Sequence, residues 1–118
     1  MLWDFNNNQP IYIQLVESLK ISIISGQYPK GGKLPSVRDL ALEVGVNPNT
    51  MHKALVELEE IGLIITKRTN GKFVTEDDLL INKYKADLAF EKANNYLTTM
   101  KSLGFTKDEA IKYMKEEK

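Results

Sequence analysis

Asn47, Asn49, Thr50, His52 and Lys53 crowd one short stretch of this chain, and Glu57, Glu59 and Glu60 come soon after. Asn47-Pro48 marks a helix start, since an asparagine side chain caps free N–H groups and proline tolerates the first helical position. The spacing thus gives a helix with hydrogen-bonding and basic groups at its amino end and carboxylates toward its other end. That set suits recognition chemistry. Asparagine pairs bidentately with adenine, while threonine, histidine and lysine meet base edges or phosphate oxygens. A plain solvated helix face has a similar composition, and the lengthwise asymmetry is what separates the two.

Two flanking sets agree. Ser36, with Asp39 three residues on, opens another helix by a weak variant of the capping box; its amino end, with Arg38 beside it, suits a phosphate. Lys67, Arg68 and Lys72 surround Asn70-Gly71, a short basic tip able to reach a neighbouring backbone or minor groove. Cations there also serve as ordinary edge-strand protection. Other chemistries lack their parts. The chain has no cysteine and one histidine, His52, so disulfide frameworks, thiolate metal sites and multi-histidine sites are all missing. Neither a phosphate-cradling glycine loop nor a nucleophile with a plausible base occurs, and Glu57, Glu59 and Glu60 read as a solvated helix end. A non-enzyme without metal or cofactor is expected.

Lysine plus arginine equals aspartate plus glutamate, 16 each, so net charge does not by itself argue for a polyanionic partner. Any such case rests on one basic face. The opening MLWDFNNNQ lacks a basic segment leading into an apolar run, and the apolar runs fall far short of the roughly 20 residues that cross a bilayer. A soluble, cytoplasmic protein with no membrane partner is expected.

The elements that must position these groups emerge from periodicity and punctuation. After Pro10, a first helix carries Tyr12, Val16, Leu19 and Ile23 inward and Gln14, Glu17 and Ser18 outward. Gly26 ends it, and Gly31-Gly32 lies in the next loop. Val37, Leu40, Ala41 and Val44 line the second helix. Gly45 makes a tight turn, and the third helix runs through Met51, Ala54, Leu55 and Leu58 to about Ile61, where Gly62 stops it. Ala41, Gly45 and Met51, with Leu40, Val46 and Ala54 inward, suit a helix-turn-helix: a small contact residue, a turn residue tolerating positive φ, and an apolar anchor. An ordinary helical hairpin packs the same way. Leu63–Thr66 and Phe73–Thr75 flank Asn70-Gly71 as a β-hairpin. Thr75 then caps a long helix with an acidic first turn, Gly104 closes it, and Thr106 with Glu109 is a capping box for a last helix carrying Ala110, Ile111 and Met114.

The expected fold is therefore mainly α with a small β-hairpin: a winged helix-turn-helix over residues 1–75, then a two-helix tail over 76–118. A winged helix also serves protein–protein assembly, because fold alone does not determine function. The polar amino half of the third helix favours double-stranded DNA. The long helix has an apolar stripe that a short partner helix cannot cover, which predicts a homodimer through Leu80, Tyr84, Leu88, Tyr96, Leu97 and Met100. Tyr84, Leu88, Phe90, Tyr96 and Met100 could instead wrap a ligand, but stripes at helical spacing are more often interface or core, and no effector is indicated. Trp3 and Phe5 are expected to pack on the domain or on the partner chain.

Residues 10–75, with Pro10–Leu15 and GQYPKGGKLPSVRDLALEVGVNPNTMHKALVELEEIGLI, closely resemble the GntR family of bacterial transcription regulators. The LPSVRDLA and GVNPNT segments carry most of the likeness. The resemblance implies a winged helix acting as a dimer on a pseudo-palindromic operator. It also implies that Arg38 and the helix from Ser36 contact phosphates or bases, that Asn47, Asn49, Thr50 and His52 lie on the operator face, and that Arg68 sits at the wing; Lys53, Gly71 and Lys72 join the expected DNA-binding set from the residue pattern itself. The family often has Gly after the wing's basic residue and Thr or Tyr after its second Gly; this chain has Thr69 and Lys72. The segment after Thr75 is too short for the family's usual large effector-binding domain and resembles the YtrA subfamily, whose tail is implied to serve dimerisation. Repression of a transcription unit is the expected role.

Overall fold

A computed structural model describes residues 5–116; Trp3, expected to pack on the domain or a partner, lies outside them. The order is α1 (Ile11–Ile24), α2 (Val37–Val44), α3 (Pro48–Glu60), β1 (Ile64–Lys67), β2 (Gly71–Val74), α4 (Asp78–Ser102) and α5 (Lys107–Lys115). This is a winged helix with two further helices after it. The chain forms two compact units, one reaching Lys83 and the other starting at Tyr84, so the division falls inside α4.

Residues from every element of the first unit before α4 meet in its core. Leu15, Leu19 and Ile23 from α1, Leu40 and Ala41 from α2, and Met51, Ala54, Leu55 and Leu58 from α3 are almost wholly buried, with Leu63, Ile64 and Val74 beneath the wing. Fully burying a leucine or isoleucine contributes about 1.5–3 kcal/mol. Of the inward face that periodicity predicts for α1, Leu19 and Ile23 are buried, but Tyr12 and Val16 are only half-buried and Gln14 and Leu15 take the inward places in the first turns. Gln14 goes inside because its amide ties down the preceding arm. Its Nε2 donates to the carbonyls of Asn6 and Gln9, both at 2.7 Å, and its Oε1 accepts from the Asn6 N–H at 2.8 Å. Burial of an amide is tolerable when its hydrogen bonds are made.

Ser36 and Asn47 cap α2 and α3 as expected, accepting from the backbone N–H of Asp39 at 3.1 Å and Asn49 at 2.8 Å. Gly45 between them has φ +82°, a left-handed conformation costly for a residue with a Cβ. It lets the chain turn sharply from α2 into α3.

In the wing, β1 and β2 are antiparallel with Thr66 opposite Lys72 and Lys67 opposite Gly71. The loop is thus Arg68-Thr69-Asn70, and Gly71 already belongs to β2, not to a two-residue Asn-Gly turn. Its φ of +101° explains why glycine stands there. The segment expected to be a loop around Gly31-Gly32 also pairs with β2. Gly31 N–H donates to the Val74 carbonyl, Val74 N–H to Gly32, and Leu34 N–H to Lys72, all within 2.8–3.1 Å. That pairing attaches the approach to α2 directly to the wing.

The start of α4 differs as well. Thr75 is buried and its N–H donates to the Leu63 carbonyl, so it remains part of the wing. Asp77 caps α4 instead, accepting from the Leu80 N–H at 3.1 Å.

In the second unit, Thr106 and Glu109 form the full capping box of α5. The Tyr96 hydroxyl donates to the Ala110 carbonyl at 2.7 Å, and the Phe105 and Tyr113 rings lie 5.2 Å apart. No residue of α4 is buried.

Candidate nucleic-acid interface

α3 separates its residues by face. Met51, Ala54, Leu55 and Leu58 are buried, whereas Asn47, Asn49, His52 and Lys53 are exposed and Thr50 is half-buried. The structure therefore brings the expected recognition residues onto one open surface at the amino end of the helix. Two of them have additional work. The Asn47 side-chain oxygen is occupied by the cap, which leaves its NH2 group outward. The Lys53 ammonium lies 4.9 Å from the centre of the Tyr12 ring, a cation–π distance.

A second feature joins α2 to the wing. Lys33, Ser36, Asn70, Gly71 and Lys72 are among the residues around an open groove of about 620 Å³. Ser36, Gly71 and Lys72, far apart in sequence, are thus neighbours. Arg38 is exposed on α2, and Arg68 is exposed in the wing loop. Lys67 is turned back over the Phe73 ring at 4.4 Å.

Lys33 is not among the residues expected from sequence. It forms a β-bridge with Phe73, and its side chain passes Gly71 so closely that a Cβ there would sit 3.3 Å from Lys33 Cε. The signal is present in the Gly31-Gly32-Lys33 run ahead of Pro35-Ser36, but the pairing with β2 that places it is non-local.

Of the α3 carboxylates expected to form a solvated end, Glu60 is exposed, whereas Glu57 and Glu59 are half-buried and engaged. Glu57 accepts from the Tyr12 hydroxyl at 3.0 Å. Burial, then the hydrogen bond to Glu57, pushes the Tyr12 phenol above its ordinary range. Glu59 accepts from the Thr66 hydroxyl and, at 3.3 Å, from the Lys72 ammonium. These bonds, the Thr66 bond foremost, hold its carboxyl below the usual carboxylate range against the opposing effect of burial. Lys72, expected to face the operator, has its ammonium committed to Glu59 and to Thr66 Oγ1 at 3.1 Å.

Of the expected tail residues, Leu80 packs in the first unit, where a Cβ on Gly62 would approach its Cδ2 to 3.0 Å. Tyr84, Leu88, Tyr96, Leu97 and Met100 are half-buried, and Phe90 is 70% exposed. No helix among the described residues is long and apolar enough to cross a membrane.

Three helices, a wing joined to the approach of α2 and an outward polar start to α3 define a winged helix-turn-helix DNA-binding protein. The model of the gntR family of bacterial regulatory proteins matches residues 11–74, and the chain belongs to that family of transcriptional regulators. It is 42% identical to the HTH-type transcriptional repressor YtrA of Bacillus subtilis over 74 residues, 63% of this chain and 57% of that protein. A GntR family transcriptional regulator from Listeria monocytogenes, at 38% identity, superposes with a TM-score of 0.89 over 97% of this chain and 100% of its own. The DNA-binding domain of AraR, solved in complex with operator ORX1, superposes with a TM-score of 0.55 at 27% identity, over 61% of this chain and 93% of its own.

Proposed function

We propose that the protein is a homodimeric repressor, acting in the cytoplasm, that binds a pseudo-palindromic operator. In each copy the amino half of α3 enters a major groove, while wing residues 67–72 lie along the adjacent backbone or minor groove. One observation carries this reading: Asn47, Asn49, His52 and Lys53 face outward from a helix whose opposite side is locked into the core. Asn49 and His52 then meet base edges, with Thr50 and the Asn47 amide beside them, and Lys53 and Arg68 meet phosphates. Ser36, the N–H groups behind it and Arg38 form a further phosphate contact, which Lys33 extends toward the wing. The name and operator complex of the relatives support this assignment by analogy.

The functional division falls near Thr75, with residues 1–75 binding DNA and 76–118 dimerising. Support comes from α4, which has a stripe of half-buried Tyr84, Leu88, Tyr96, Leu97 and Met100 and no buried residue. A second copy would cover that stripe. Pairing two winged helices raises the local concentration of the second half-site and compensates for the few contacts each makes alone. No small-molecule effector is needed for this reading.

The test is operator binding by Arg38→Ala and Asn49→Ala, measured by fluorescence anisotropy across a salt series. Asn49→Ala should weaken binding about 10- to 100-fold at the base it reads, the range for one bidentate base contact. Arg38→Ala should weaken binding and make the log–log salt slope shallower by about 0.9, one lost phosphate contact. Wild-type affinity in both variants would show that these residues do not face the operator.

A further inference from the structure

We propose that Glu59 is a positioning residue for operator binding, one carboxylate on α3 that grips both strands of the wing, with Lys72 as the brace it grips and not a phosphate contact. The inference rests on the DNA-binding reading above.

The geometry is specific. Thr66 and Lys72 are register partners, directly opposite each other on β1 and β2, and only the Lys67–Gly71 pair lies between them and the loop. Both side chains address the same carboxylate: the Thr66 hydroxyl donates to Oε1 and the Lys72 ammonium to Oε2, while the ammonium also donates to Thr66. Glu59 therefore holds the wing near its tip, across the strands, and from the helix that carries the recognition residues.

Burial supports the assignment. The Lys72 side chain is only 18% exposed and that of Glu59 32%, whereas the surface pair Lys30–Asp78 stands at 48% and 67%. A lysine reaching for phosphate keeps its ammonium in water; this one has given up water on one side for a carboxylate and a hydroxyl. Holding so flexible a side chain costs up to about 2 kcal/mol of rotamer entropy, which the charge-assisted bonds offset. The wing needs such a hold. Its two strands have four residues each, and a hairpin that short is marginal without outside contacts. Backbone pairing to residues 31–34 secures the β2 edge, and Glu59 links both strands to α3.

The sign of the effect separates positioning from simple electrostatics. Removing a negative charge near DNA should tighten binding, because the carboxylate repels phosphates. Positioning demands the reverse. The experiment measures Glu59→Gln, Lys72→Met and their combination on a labelled duplex selected by the wild-type protein from a random-sequence pool, with thermal unfolding as a check on folding. Glu59→Gln should bind about three- to tenfold more weakly despite the loss of a negative charge, the scale of the net contribution of one hydrogen bond. Lys72→Met should weaken binding similarly with an unchanged salt slope, and the double variant should be no weaker than the weaker single one. Adding Arg68→Ala should cost less in the Glu59→Gln background than in the wild type, because the wing is already displaced.

A Glu59→Gln protein that is folded and binds as well as or better than wild type would overturn the proposal, as would a Lys72→Met slope shallower by about one phosphate contact. Should the wild-type protein itself select no duplex, or bind DNA without steep salt dependence, the operator reading fails and takes this inference with it.

Discussion

α3 and α4 both carry apolar residues at helical spacing, yet they sit in opposite circumstances. α3 has 13 residues and buries Met51, Ala54, Leu55 and Leu58; α4 has 25 residues and buries none. α3 is packed by α1, α2 and the wing, so its orientation is determined within one chain and its free face can be committed to recognition. α4 has apolar groups that are at most half-buried: Leu80 packs in the first unit, and Tyr84, Leu88, Tyr96, Leu97 and Met100 keep part of their surface exposed. The first region is covered within its own unit, and the half-buried apolar residues of the second are what support the proposed dimer. An apolar stripe alone therefore does not report whether a helix is core or interface. The elements around it decide.

The largest effect that would sharpen this contrast lies in the core. Leu55→Ala should destabilise the protein by about 2–5 kcal/mol in urea unfolding, the range for deleting a fully buried leucine side chain. Phe90→Ala, at a 70% exposed position on α4, should leave unfolding of the first unit within about 0.5 kcal/mol. Equal losses at both sites would break the comparison.

A next, smaller effect concerns association. Leu88→Glu places a charge among the half-buried apolar residues of α4 and should convert the proposed dimer to a monomer in sedimentation velocity, with the folded first unit retained. Operator affinity should then fall about 100-fold, the lower range for losing two-site binding. A Leu88→Glu chain that still sediments as a dimer would place the interface on another face of the tail.

The smallest effect is electrostatic and confined to the capping box of α5. The Thr106 backbone N–H, which donates to Glu109 at 2.9 Å, and the Thr106 side chain hold the Glu109 carboxyl below its ordinary range. A carboxyl with a depressed folded-state pKa contributes stability that is complete above its unfolded value and lost as pH falls through the folded one. Protection of the Thr106 amide against hydrogen exchange should accordingly decline on acidification below the usual carboxylate range. Glu109→Gln should show the reduced protection already at neutral pH and little further dependence. A wild-type profile that is flat through that range would show that the box adds nothing to the helix start.

Much of the fold is legible in the chain because its signals are local. Ser36, Asn47 and Thr106 cap helices whose first N–H groups lie within three residues of them, and Gly45 supplies a left-handed turn from its own backbone freedom. The outward face of α3 is equally legible, since four apolar residues at helical spacing leave only one side for Asn49, His52 and Lys53. The misread positions all depend on distant partners. Gln14 reads as polar and outward until the arm at Asn6 folds over it. Thr75 reads as a cap until the Leu63 carbonyl claims it for the wing. Glu57 and Glu59 read as solvated until Tyr12, Thr66 and Lys72 arrive.

The residue types alone determined the starts of α2, α3 and α5, which side of α3 is apolar and which polar groups are available for recognition, because those depend on hydrogen bonds and periodicities within one or two turns. Only the folded chain decided which of those polar groups are free and which are already engaged. That choice is set by the rotation and register of elements packed against one another: Tyr12 and Glu57 are 45 residues apart, and Thr66 meets Lys72 only because the strands pair in that register. A side chain's chemistry is written in its own atoms, but its occupancy is written in its neighbours'.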